Sequence, residues 1–217
     1  MNPSYPYYYT ANPAVAPTPQ LQLIAIRQTP YDAQSSRRNI SEPVEFKSAQ
    51  TREQGILLSN AMHANIEGLL MDAEGVVLND NVGSKLSLRL QFVGYEPYTK
   101  QKYAKTTGRE IPVSRAKLAR QVAEVVHAFY QEKIQPASDG VRYLSVNDGL
   151  AHIQFTDLYL VRVDHVTTGS IQPALAYYGY PNGMTTASPP VVHLQPQPQP
   201  PQTQYTYQPM PGSSSSY

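Results

Sequence analysis

Proline placement divides this chain into segments that can and cannot form regular structure. Of its 20 prolines, six lie in residues 1–30 and ten in residues 173–217. Proline lacks a backbone N–H and is poorly tolerated inside a helix or a central strand. We therefore predict disordered tails over residues 1–20 and 177–217, with a folded core between them.

The two tails share an unusual composition. They hold ten of the 17 tyrosines and no Asp, Glu, Lys or Arg. Residues 195–202 consist of glutamine and proline, which favours extended polyproline II chain. Polar segments spaced with aromatic residues can also self-associate. We expect the tails either to recruit protein partners or to be inert, solvated appendages.

The segment between the tails divides into a leader and a core. Residues 21–47 form a transitional leader, in which the apolar residues between Leu21 and Ile26 favour a short strand that docks on the core. Residues 48–176 are long enough to bury a single hydrophobic core, and we predict one domain there.

Two stretches of the core predict helices. Thr51 and Gln54 fit a capping box that would open a first helix ending near Met71. Ser114 is a favourable N-cap residue. The apolar residues after it recur with a period of 3.6, which predicts a second helix ending near Lys133.

Strand patterns fill the rest of the core. Residues 85–93 alternate apolar and polar side chains, which predicts a strand with one buried face. Residues 141–146 and 158–166 are rich in β-branched and aromatic residues, with a turn signal at residues 147–149 between them. We expect residues 169–176 to close the core. The order predicts an α+β fold, a small mixed or antiparallel sheet with two helices on one face, flanked by disordered tails.

Composition argues against the common enzyme and metal classes. The chain has no cysteine, so disulfides, thiol nucleophiles and cysteine-ligated zinc are excluded. Its five histidines lack metal-ligand spacing, and no nucleophile elbow, phosphate-binding loop or dinucleotide fingerprint is present. We therefore predict a protein that is not an enzyme and needs no metal or cofactor.

The chain shows no sequence signal for a membrane. Its formal net charge is only +1, which points to no strong global field for nucleic acid or lipid. The early residues include no signal peptide, and no apolar run approaches the length of a membrane span. We expect an intracellular protein, nuclear or cytoplasmic, with no membrane partner.

Basic residues concentrate in one stretch that runs into the second predicted helix. Seven cations and one acid, Glu110, give it a net charge of 7 − 1 = +6 over 21 residues. Three tyrosines lie beside or among the cations. The cations are Lys100, Lys102, Lys105, Arg109, Arg115, Lys117 and Arg120, and the tyrosines are Tyr95, Tyr98 and Tyr103.

This basic stretch suggests a polyanion site. A helix N-terminus with nearby cations binds phosphate well, and tyrosine rings can stack on bases. We interpret the first four cations as loop contacts to phosphate, and Arg115 and Lys117 as contacts at the helix start. The predicted function is a non-enzymatic regulator that binds nucleic acid or another polyanion. One alternative is that the basic stretch is a solvated surface. The other is that the protein is an interaction module or homodimerising scaffold whose basic stretch contacts an acidic protein partner.

Four segments of the predicted core carry a resemblance to other proteins. Residues 91–98 read QFVGYEPY and residues 111–118 read IPVSRAKL. Residues 157–161 read DLYLV, and residues 169–173 read GSIQP. The chain resembles uncharacterised intracellular proteins of mushroom-forming and related fungi. In these proteins a strand ends in aromatic-Pro-Gly-Tyr-x-Pro-aromatic, and a helix then opens with Ser/Thr-x-x-Lys-Leu.

The resemblance covers residues 48–176 and has identifiable departures. Val93 stands where the family pattern has proline, and Phe92 and Tyr98 stand where it has tryptophan. The resemblance implies a fungal origin and a shared fold. It implies no activity, because none is known for the family.

Overall fold

The computed structural model describes residues 20–31, 42–63, 65–78, 82–106, 111–146, 149 and 151–180. Within these ranges the chain forms two helices and nine strands, and the predicted α+β fold is confirmed. The helices are α1 (Leu58–Ala61) and α2 (Arg115–Lys133). The strands are β1 (Gln22–Ala25), β2 (Val44–Glu45), β3 (Ile56–Leu57), β4 (Lys85–Leu90), β5 (Tyr98–Tyr103), β6 (Tyr143–Val146), β7 (Ala151–Gln154), β8 (Tyr159–Thr167) and β9 (Ser170–Gly179). Of the two predicted tails, only Gln20 and residues 177–180 are among the described residues.

Seven of the strands form one mixed sheet centred on β9. On one side β9 pairs antiparallel with β8, which in turn pairs with β2 and β3. On the other side β9 pairs parallel with β4 and, further along, antiparallel with β1. The strand β5 pairs antiparallel with β4 and forms an edge of the sheet. The strands β6 and β7 form a separate two-stranded sheet.

The leader contributes a strand to the sheet, as its apolar residues predict. Ile24 of β1 lies opposite Tyr177 of β9, and the Ile26 N–H donates to the Leu175 carbonyl at 2.8 Å. The sheet therefore extends past both ends of the predicted core of residues 48–176.

A proline in the central strand is accommodated at a junction between neighbouring strands. Pro173 lies between the part of β9 that pairs with β4 and the part that pairs with β1. Its missing N–H therefore removes no bond to either neighbour. The Gln28 side chain fills the gap, since its Nε2 donates to the Pro173 carbonyl at 2.6 Å.

The strongest sequence patterns match the structure closely. The Ser114 hydroxyl accepts a hydrogen bond from the Lys117 N–H, and α2 ends at Lys133. Leu86, Leu88 and Leu90 of β4 are buried. The helix α2 contacts both β4 and β5, and α1 packs against α2.

An aromatic cluster joins α2 to the strands beside it. The Phe129 ring centroid lies 5.1 Å from that of Phe92, 5.6 Å from Tyr95 and 5.5 Å from Tyr98. Edge-to-face pairs of this kind stabilise a core beyond the apolar area they bury. The cluster fixes the C-terminal half of α2 over the start of β5.

The predicted first helix is wrong over most of its length. Residues 56–57 form β3, and only the four residues of α1 and a 3-10 turn at Ile66–Gly68 are helical. Gly55 has a φ of 96°, which breaks any helix begun at Thr51. The Thr51 hydroxyl accepts from the Glu53 N–H at 3.3 Å, which closes a short turn in place of the capping box.

The sequence patterns also missed three strands, β2, β5 and β7. The turn signal at residues 147–149 lies between β6 and β7, whereas it was predicted to connect residues 141–146 with residues 158–166. Gly149 has a φ of 87°, in keeping with a turn, whereas Asn147 and Asp148 lie outside the described residues. Across the described ranges, neither helix has the length and apolar character needed to cross a bilayer.

A buried histidine predicts that stability falls in mild acid. His165 of β8 is only 5% exposed, and no described group bonds its Nε2. Burial lowers the pKa of His165 below 6.5, so the unfolded chain binds a proton more readily than the folded chain. We expect the stabilisation from neutral His165 to be full at pH values well above 6.5 and to be lost as the pH falls through 6.5, so the melting temperature should decrease there, as thermal unfolding at several pH values would show. In the variant His165→Gln this slope should be smaller; an unchanged slope would contradict the assignment.

Candidate functional site

The six described cations of the basic stretch are divided between β5, the segment that follows it and α2. Their positions show which of them share a surface. Lys100 and Lys102 lie on β5, Lys105 follows that strand, Arg115, Lys117 and Arg120 lie in the first turns of α2, and Arg109 lies outside the described residues. The predicted loop at Lys100 and Lys102 is therefore wrong, because this segment is an edge strand.

The two lysines of β5 pair with carboxylates of α2. The Lys100 Nζ lies 3.0 Å from the Glu132 Oε1, and the Lys102 Nζ lies 2.5 Å from the Glu124 Oε2. The hydrogen bond from Lys100 lowers the pKa of Glu132. Both lysines thus face α2, and their charges are balanced within the chain.

Two arginines of α2 connect separate parts of the chain. The Arg115 guanidinium donates to the Glu45 carbonyl at 2.6 Å and to the Asp72 carbonyl and carboxylate at 3.3 and 2.9 Å. The Arg120 Nη2 donates to the His63 carbonyl at 3.3 Å and lies 3.8 Å from the Glu67 carboxylate. These contacts hold β2 and the segments around α1 against α2.

The backbone N–H groups in the first turn of α2 already donate hydrogen bonds within the chain. The Arg115 and Ala116 N–H groups donate to the Gly75 and Ala73 carbonyls, each at 2.9 Å. The next N–H, of Lys117, donates to the Ser114 hydroxyl. A helix start binds phosphate through such amides, so the predicted phosphate contact has no free donor here.

Only one of the three predicted stacking tyrosines presents its ring to solvent. The Tyr95 hydroxyl accepts from the Ser145 N–H at 2.9 Å, and its ring packs on Phe129. Tyr98 is 5% exposed in the same cluster. Tyr103 is 56% exposed, with the Lys85 Nζ 5.6 Å from its ring centroid.

The outer side of β5 exposes main-chain groups of the kind that bind another strand. The Ala104 N–H donates to the Ser84 carbonyl at 2.9 Å, which sets the phase of the β4–β5 ladder. Hydrogen-bonded positions alternate along an antiparallel pair. Thr99 and Gln101 therefore direct their N–H and C=O groups away from β4, towards the open edge.

A side-chain contact marks one end of this open edge. Tyr103 has the same orientation as Thr99 and Gln101, and its carbonyl accepts from the Gln121 Nε2 of α2 at 2.9 Å. Within the part of the chain that the structure describes, nothing binds the outward main-chain groups of Thr99 or Gln101. We call the outer side of residues 97–103 the β5 edge.

Other borders of the sheet are covered or shorter. Beyond β2, the Met71 N–H donates to the Lys47 carbonyl and the Ala49 N–H donates to the Leu69 carbonyl. The strand β1 spans four residues, against six for β5. The β5 edge is therefore the longer place where an added strand could pair.

The described residues give little support for catalysis. No three histidine, aspartate or glutamate side chains among them converge as metal ligands. A shallow cavity of about 280 Å³ lies beside the end of β4, and Arg27 is the one charged residue among the described residues that line it. These described lining residues do not pair an acid with a base or a nucleophile.

Comparison with known protein families, curated proteins and solved structures finds no match to this chain. The resemblance to fungal proteins therefore stays a prediction. The geometry of the β5 edge is the basis on which a function can be argued.

Proposed function

We propose that this protein is a non-enzymatic interaction module that binds an extended segment of a partner protein as an added strand on the β5 edge. The observation that supports this proposal most directly is that no described residue binds the outward N–H and C=O groups of Thr99 and Gln101. Strand addition of this kind takes its affinity from main-chain hydrogen bonds and its specificity from alternate side chains.

The side chains of β5 leave this edge unprotected. Proteins commonly block an edge strand with outward lysines, a bulge or a covering segment. Here Lys100 and Lys102 point towards α2 and pair with its carboxylates. The β4–β5 register runs without a shift from Lys85 to Leu90, so no bulge twists the edge away.

The surroundings of the edge define which side chains a bound segment would meet. One row of its side chains would lie along α2, beside Glu124 and Glu132. The other row would lie beside Thr99, Gln101 and the exposed ring of Tyr103. We expect preferred segments to combine a basic or polar row with an aromatic or polar row.

Polyanion binding receives less support than protein binding. Four of the seven cations pair with carboxylates within the chain, and the amides at the start of α2 are already bonded. A polyanion would have to displace these contacts before gaining its own.

A single proline on the β5 edge should abolish binding of a partner strand. The Gln101 N–H points outward, so Gln101→Pro removes no bond to β4 but removes a donor and obstructs the incoming strand. The probes are extended peptides selected from a random displayed library on the wild-type protein. We expect Gln101→Pro to weaken their binding at least about tenfold, measured by titration calorimetry.

The matched control keeps the main chain intact. Gln101→Ala alters the same side chain but retains the outward N–H, so selected peptides should bind it nearly as tightly as the wild type. Circular dichroism would verify that both variants are folded. Selection of no peptide by the monomeric protein, or equal binding to Gln101→Pro, would contradict the proposed function.

A further inference from the structure

The β5 edge is complementary to a second copy of itself. Two identical strands that pair antiparallel are related by a two-fold axis, as in most homodimers. On the β5 edge, Pro97, Thr99, Gln101 and Tyr103 occupy the outward positions, and outward positions must face one another in the new ladder. The allowed registers are therefore few.

The two ends of the edge select one of these registers. The Tyr103 carbonyl is occupied by Gln121, so the residue opposite Tyr103 should have no N–H to donate. Pro97 is the one outward position of this edge that lacks an N–H. Placing Pro97 of one copy opposite Tyr103 of the other matches the missing donor to the occupied acceptor.

We infer that the protein forms a two-fold dimer in which β5 pairs with β5 of a second copy, with the two Lys100 residues opposite each other on the axis. This inference rests on the proposed function of the β5 edge and names its partner. Thr99 then lies opposite Gln101 of the second copy. Each such pair exchanges two hydrogen bonds, and each Tyr103 N–H donates to a Pro97 carbonyl, for about six bonds in all.

The neighbouring registers are less favourable. If Gln101 of one copy lay opposite Gln101 of the other, Thr99 would lie opposite Tyr103 of the second copy. The Thr99 N–H would then face the Tyr103 carbonyl to which Gln121 already donates. With Thr99 opposite Thr99, the overlap shortens and Tyr103 extends beyond the partner strand. The Lys100-centred register avoids both losses.

The charges near the axis are complementary in the dimer. The two Lys100 side chains would approach each other on the side of the sheet that carries α2. Each is accompanied by its own Glu132 carboxylate, 3.0 Å from the ammonium. Two cations and two carboxylates would thus alternate about the axis, which removes the repulsion expected of two unpaired lysines.

A two-fold axis normal to the sheet would place both α2 helices on the same side of the joined sheet. Adjacent strands lie about 4.8 Å apart, and α2 contacts both β4 and β5. If α2 lies over the gap between these strands, the two α2 axes of the dimer would be about 10 Å apart, which is a normal distance for packed helices. The second copy would therefore extend the sheet with its helices beside each other.

Cysteine cross-linking tests both the dimer and its register in the full chain. The protein has no cysteine, so a single introduced thiol has only its symmetry mate to pair with. Lys100→Cys places two thiols opposite each other at a closely spaced position, where strand-to-strand disulfides form readily. Lys102→Cys is the matched control. In the same register the two Lys102 positions are offset by four residues along the paired strands, so the two thiols would be about 13 Å apart.

We expect Lys100→Cys to give a covalent dimer on a non-reducing gel under mild oxidation, and Lys102→Cys to remain a single chain. Sedimentation of the wild type should show a mass approaching twice 24.1 kDa as concentration rises, and Gln101→Pro should stay at 24.1 kDa. A monomeric wild type at every concentration, or equal cross-linking of both cysteine variants, would overturn the inference.

The peptide selection separates this inference from the proposed function. A monomeric protein that still binds selected peptides, and loses them in Gln101→Pro, would overturn the dimer and leave strand addition in place. A monomer that binds no selected peptide would overturn both. A dimer whose dissociation is promoted by the peptides would support both.

Discussion

Replacing Phe129 with alanine should destabilise the protein by about 3–5 kcal/mol, the largest effect that we expect from a single substitution. Phe129 is buried, and its ring contacts those of Phe92, Tyr95 and Tyr98. Alanine would leave a cavity where α2 meets β4 and β5, and would remove four edge-to-face or tilted ring contacts, including one with Tyr130. Urea unfolding followed by circular dichroism measures the loss directly.

Two further variants show whether the effect comes from the ring. Phe129→Leu retains much of the apolar volume and should cost clearly less than Phe129→Ala. Gln131 is exposed two residues further along α2, so Gln131→Ala should change stability by less than about 0.5 kcal/mol. A small loss for Phe129→Ala would mean that the aromatic cluster does not hold α2 on the sheet.

Replacing Arg115 with alanine should cost about 1–3 kcal/mol, because hydrogen bonds from a charged donor are stronger than neutral ones. Its guanidinium is the donor to the Glu45 carbonyl and to both a carbonyl and a carboxylate oxygen of Asp72. Removing it leaves these oxygens without their partner and releases β2 from the start of α2. The difference in unfolding free energy follows from the denaturant midpoints of wild type and variant, with one common slope of free energy against denaturant concentration.

Lys117 is the matched control two positions further along the same helix. It is exposed and makes no ion pair within the described part of the chain, so Lys117→Ala should change stability by less than about 0.5 kcal/mol. If these cations served a polyanion instead, both substitutions would leave folding unaffected and weaken binding to a single-stranded oligonucleotide in a salt-dependent manner. That outcome would contradict the structural role of Arg115.

The parts of the fold that could be predicted are those with a long local period. The helix α2 repeats its apolar positions over 19 residues and opens on a suitable cap at Ser114. The strand β4 alternates strictly from Lys85 to Leu90. In both cases the buried face is encoded by neighbours in the sequence, so no distant contact was needed to recognise it.

The failed first helix depended on contacts that are distant in sequence. Ile56 and Leu57 pair with Leu160 and Tyr159 of β8, about a hundred residues away. Their apolar side chains fit a helical period as well as a strand, and the positive φ of Gly55 decides between the two. Short apolar runs are ambiguous for this reason.

The candidate site was missed because β5 has no apolar face to reveal it. The side chains of β5 that face α2 are those of Tyr98, Lys100 and Lys102. The two lysines form ion pairs with Glu132 and Glu124 of α2. The sequence shows the cations together, but their acidic partners lie more than 20 residues away. The alternation of Lys100 and Lys102 with Thr99 and Gln101 was the one local signal of a strand.

Residue-resolved amide hydrogen exchange at β5 tests the central claim most directly. At low protein concentration we expect the outward amides of Thr99, Gln101 and Tyr103 to exchange fast, while those of Lys100 and Lys102, bonded to β4, exchange slowly. Raising the concentration, or adding a selected peptide, should slow the three outward amides and leave the other two unchanged. Outward amides that are protected under every condition would show that another part of the chain covers the edge, and outward amides that stay fast throughout would show that nothing binds there.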